Sequence, residues 1–123
     1  MNILMLFYMT NAVLITVHEI DSAYWREWKM FKLPGGINFF LIIHIPLVFL
    51  ILYGLLQLQQ QTTAGYIISL ILALAGIFAF IIHAVFIGRG NREFNTPVSL
   101  SILVAILAVS IMQTWLTVIA MLA

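Results

Sequence analysis

The chain has 123 residues, of which 64% are hydrophobic and 7% charged, with a formal net charge of +1 and no cysteine. A soluble globular domain is about 45–50% apolar and about 25% charged, so these charges cannot furnish a water-facing surface and hydrocarbon must be the solvent for most of it. The near-neutral balance carries no basic stripe for nucleic acid, and the absence of cysteine excludes disulfides, thiolate metal sites and iron–sulfur clusters.

Four apolar segments follow in chain order, each near the roughly 20 residues that span a bilayer core as a helix. The first runs from about Ile3 to Trp25. It is purely apolar only to Val17, so it spans fully when His18, Glu19 and Asp21 lie within its membrane end. It lacks the basic start and small-residue cleavage site of a signal peptide, and is expected to be retained. Residues 24–33 mix Tyr24, Trp25, Trp28 and Phe31 with Arg26, Glu27 and Lys29, the composition of a headgroup-layer anchor. Leu33-Pro34-Gly35-Gly36 then breaks the chain. The second segment covers 36–58, and a polar, uncharged link from Gln57 to Thr63 leads to the third, 65–88. After the turn Gly88-Arg89-Gly90-Asn91-Arg92, Thr96-Pro97 opens the fourth, 97–123, with a capping hydroxyl followed by a proline at the first helical position. The pattern predicts an all-α polytopic membrane protein, a single up-down bundle of four transmembrane helices over 1–123.

All five basic residues, Arg26, Lys29, Lys32, Arg89 and Arg92, fall in the first and third connections. The positive-inside rule places those connections in the cytoplasm and both termini outside, as in a bacterial inner membrane.

An ionisable side chain at mid-bilayer costs about 2.5–3.5 kcal/mol on insertion scales, which makes His18, Glu19, Asp21, His44 and His83 the functional candidates. By helical rise, each histidine lies roughly 9–12 Å from the cytoplasmic edge. Asn11, His18, Asp21 and Ser22 share a face of the first helix, while Glu19 points about 100° away. Gly65, Ser69, Gly76 and Ala79 share the face of His83, and small residues mark a packed face. Ser99, Ser110, Gln113, Thr114 and Thr117 form a polar stripe on the fourth helix. His44 has only large apolar companions, with Pro46 close behind it.

Three chemistries fit. His18, His44, His83 and a carboxylate, Asp21 with Glu19 at its edge, can bind a divalent transition metal. His44 and His83 can be axial ligands of a haem. Glu19 or Asp21 can relay protons or a small cation with the histidines. Against these stands a structural reading: each histidine hydrogen-bonds a neighbouring helix, and the acids pair with Arg26, Lys29 or Arg89. No Gly-x-Ser-x-Gly, phosphate loop or His-Glu-x-x-His is present, so no enzyme class is indicated. A non-catalytic accessory protein packed on a larger membrane partner is the competing class, and a transporter of this size would need a homodimer to wall its pathway.

The stretch His18-Glu19-Ile20-Asp21-Ser22-Ala23-Tyr24-Trp25, continued to Leu33-Pro34-Gly35-Gly36, resembles small four-helix bacterial membrane proteins of unknown function with a His-Glu-x-Asp stretch ending their first helix. The resemblance covers mostly the first 45 residues and implies fold and topology but no activity. In size and helix number the chain is also similar to small multidrug resistance transporters. That similarity implies a cation–proton exchanger with Glu19 at the position of their first-helix glutamate.

Overall fold

The computed structural model describes residues 2–123. Four long helices, α1 (Ile3–Trp25), α3 (Gly36–Gln59), α4 (Thr63–Gly88) and α5 (Pro97–Leu122), are joined by turns, and a one-turn helix α2 (Glu27–Met30) follows α1. All four long helices are long and apolar enough to cross a membrane, and no strand occurs among the described residues. The protein is an all-α four-helix membrane bundle.

Local chemistry sets the helix ends. Asn2, Thr62 and Thr96 cap α1, α4 and α5 by accepting from the backbone N–H three residues on, satisfying donors that have no partner inside the helix. The cap at Thr62 starts α4 two residues earlier than composition suggested. The polar link therefore shrinks to residues 60–62, held by the Thr62 hydroxyl donating to the Gln57 side chain at 2.8 Å. Gly65 lies directly against the backbone of Gln57 and Leu58, where a Cβ would collide.

Neighbouring helices run antiparallel. Tyr8 of α1 donates to the Ile51 carbonyl of α3 at 2.7 Å, Asn11 meets Ser110 and Gln113 of α5, and Ser69 of α4 meets Thr117 of α5. α1 and α4 also touch across the bundle, whereas α3 and α5 share no contact among the described residues. The α1–α2–α3 connection and the α4–α5 connection thus lie at the same end and carry all five basic residues.

The core is unusually polar at mid-bundle. Asn11 donates to Ser110 at 3.0 Å and to Gln113 at 2.7 Å; Gln113 donates to the Ser69 carbonyl and hydroxyl, both at 3.0 Å; Ser69 and Thr117 hydroxyls meet at 2.8 Å. Association in lipid gains little from apolar burial, so such contacts and close backbone approach hold the helices together. Gly76 supplies the close approach, since a Cβ there would strike Ser110 Oγ and crowd Ile106. Large apolar side chains point outward on every long helix, as the Val13, Ile45, Phe78 and Val104 positions show. That is the arrangement hydrocarbon demands.

Candidate metal centre

At the charged end of the bundle, α1, α4 and α2 bring three ligand atoms together. His18 Nε2 and His83 Nε2 are 3.0 Å apart, and Glu27 Oε1 is 3.1 Å from His83 Nε2. One ligand atom from each of the three residues falls within 4.8 Å of the others. His18 is 2% exposed and His83 0%, so water does not bathe the imidazoles. Around a tetrahedral ion with ligands at about 2.0–2.1 Å, neighbouring donor atoms stand about 3.3–3.4 Å apart. The His18–His83 and His83–Glu27 pairs would match that spacing after opening by a few tenths of an ångström, while Glu27 and His18, which stand further apart but within 4.8 Å, would have to close on each other.

The local fold explains how Glu27 arrives. α1 ends at Arg26, which adopts the left-handed conformation with φ 55°, its N–H turning back to the carbonyls of Ser22 and Ala23. The chain reverses there and α2 begins immediately, so Glu27 turns in beneath the bundle while Trp28 is buried against Phe40. Left-handed backbone is disfavoured for any residue with a Cβ. It recurs at Phe94 (φ 61°), the residue that closes the site from the α4–α5 connection. Phe94 is fully buried, stacks on His83 with centroids 4.2 Å apart and planes 24° apart, and leans on His18 and Trp25.

The electrostatics favour a cation. Burial pushes the Glu27 carboxyl upward, but the hydrogen bond and charge of His83 outweigh it and hold the group below its ordinary value. Two imidazole nitrogens and a carboxylate oxygen cannot all present lone pairs to one another without repulsion. A proton shared by His83, or a metal ion in its place, resolves the conflict. The Nδ1 atoms of both rings are buried with no hydrogen-bond partner, so only the Nε2 contacts among His18, His83 and Glu27 bear on where the ring protons sit.

The five sequence candidates fall into three places. His18 and His83 meet. His44 turns away from them: its Nδ1 donates to the Phe40 carbonyl at 2.6 Å and its Nε2 lies 2.7 Å from Glu19 Oε2. Asp21 lines a groove between α1 and the start of α5, beside Thr96 and Ser99, where the positive end of the α5 dipole favours a carboxylate. The acids do not pair with Arg26, Lys29 or Arg89; among the described residues the ion pairs are His44–Glu19 and His83–Glu27. Sequence reasoning missed Glu27 and Phe94. Glu27 was absorbed into an interfacial aromatic segment, and Phe94 sits in a polar turn. The one usable signal was an isolated acid amid the aromatic and basic residues of the first connection.

Fold and cluster together define a small membrane-spanning helical protein with two buried histidines and a partly buried glutamate that could hold a metal ion. The chain belongs to a family of unknown function, DUF6713, whose model matches residues 4–120. No curated protein and no solved structure matches it.

Proposed function

We propose that this protein binds one transition-metal ion between α1 and α4 at the cytoplasmic end of the bundle, through His18, His83 and Glu27. Both termini lie outside, and the basic connections face the cytoplasm. The observation that carries the reading is the convergence of the three ligand atoms within 4.8 Å, two of them on fully or nearly fully buried imidazoles. Two nitrogens and one carboxylate oxygen suit zinc, iron or copper rather than magnesium or calcium, which prefer all-oxygen sets. Three protein ligands leave a fourth position open to water or a small ligand. Phe94, from the α4–α5 connection, packs against both imidazoles and shields the site.

Elemental analysis of purified protein, loaded with zinc and dialysed, tests the proposal. One retained ion per chain, lost in the His18→Ala/His83→Ala variant with helicity intact, is the expected result. No retained ion, or equal retention by the variant, would refute it.

A further inference from the structure

A second polar pair lies outside the candidate metal centre and opens toward lipid. Glu19 and His44 stand at the end of a cleft between α1, α3 and α4, with a volume of about 170 Å³ and walls formed by Ile15, Val48, Ile51 and Leu72. Beyond Thr16 and Ile51 the cleft continues along the α1–α3 seam as an apolar groove of about 300 Å³, reaching Tyr8 and Leu55.

The hydrogen-bond inventory of the cleft is short. The Thr16 hydroxyl is spent on the Ala12 carbonyl at 2.7 Å. The Phe40 carbonyl can only accept, so His44 Nδ1 carries a proton. A second proton lies between His44 Nε2 and Glu19 Oε2. Whichever atom holds it, the pair is neutral as a whole. Among the described residues, the only hydrogen bond of the Glu19 carboxyl uses Oε2. Its other oxygen is left as an acceptor, on a side chain 31% exposed and facing the cleft. An unpaired acceptor in hydrocarbon is costly, and water has little to hold it among aliphatic walls.

A neutral pair does not call for an ion, so the missing partner is a neutral donor. Its size follows from the cavity, since aliphatic cavities of about 150 Å³ accommodate a single benzene ring. We infer that this cleft binds a lipid-soluble amphiphile with a single phenolic ring, a phenol or hydroquinone. Its hydroxyl donates to Glu19 and its apolar tail lies along the α1–α3 groove. None of His18, His83 and Glu27 takes part, so the inference stands or falls separately from metal binding.

The test is equilibrium binding of para-nonylphenol and of nonylbenzene to the full chain in phosphatidylcholine nanodiscs. The phenol should bind saturably, one per chain, and about tenfold or more tightly than the hydrocarbon, the worth of one hydrogen bond made in an apolar site. Glu19→Leu/His44→Leu, which removes the acceptor together with its partner, should erase that difference. Ala75→Phe, at a lipid-exposed position on the cleft wall, should abolish binding of both ligands without touching the polar pair. Equal affinity for the two ligands in the unaltered protein would overturn the inference and leave the cleft as a seat for acyl chains. Retention of phenol binding by Ala75→Phe would overturn it as well.

Discussion

Gln113 shows how single residues hold this bundle. Its side chain joins α5 to Asn11 of α1 and to Ser69 of α4, so Gln113→Leu breaks two interhelical connections. Interhelical contacts of this kind are worth about 0.6 kcal/mol on average and up to about 1.7 kcal/mol. Gln113→Leu should therefore lower unfolding stability in mixed micelles by about 1–3 kcal/mol. Thr10→Val should change it negligibly, because the Thr10 hydroxyl donates only to the Leu6 carbonyl of its own helix. A loss in Thr10→Val as large as in Gln113→Leu would contradict this. Gln113 and Ser69 were readable as inward-facing from the polar stripe and from the small residues around His83. His44 had no such companions, and it is the histidine that leaves the cluster. Depth along a helix follows from residue count alone, but azimuth is settled by what packs alongside. The three histidines agreed in depth, yet only His18 and His83 meet. Glu27 was illegible for a different reason. It depends on one left-handed residue at Arg26, and nothing in residue type announces that conformation.

Among the elements, α1 is the hub. It presents His18 to α4 and Glu19 to α3 from adjacent positions about 100° apart, and at its end the Arg26 turn delivers Glu27. If that turn positions the ligand, backbone substitutions should act on metal binding without altering any ligand. Arg26→Gly, which enters the left-handed region freely, should retain zinc. Arg26→Val, whose β-branched side chain opposes it, should weaken zinc binding, although both variants lose the same charge. Equal affinities in the two would show that the turn is not what places Glu27. The α4–α5 contact is tested at Gly76, where a side chain meets Ser110 and Ile106. Gly76→Leu should cost about 1–3 kcal/mol as overpacking, read by the same micelle unfolding. The cap at Thr96 and the break at Pro34-Gly35 were legible because their chemistry is local, whereas the cap at Thr62 was hidden within the polar link. The one-turn α2 falls within the interfacial segment 24–33 that composition marks out, but its bounds were not legible, because four residues show no periodicity.

At the scale of the whole molecule, basic residues gather at one end of an antiparallel bundle, and that end also holds the His–His–Glu cluster. The cysteine-free sequence makes the orientation directly testable with single cysteines at exposed positions. A membrane-impermeant maleimide added to intact cells should label Gln60→Cys, and should label Asn95→Cys only after permeabilisation; the reverse pattern would invert the topology. The number of crossings and their antiparallel order were legible from composition, because hydrocarbon imposes a length and a polarity on every span. The division of the polar residues into separate sites was not, because it arises from contacts between helices. In the proposed metal site Glu27, and not Glu19, is the third ligand beside His18 and His83. Cobalt titration followed by visible absorption, run on the unaltered protein, Glu27→Gln and Glu19→Gln, tests it most directly. One cobalt per chain is expected, with affinity weakened by about tenfold or more in Glu27→Gln and an unchanged spectrum and affinity in Glu19→Gln. Loss of binding in Glu19→Gln with full binding in Glu27→Gln would contradict it.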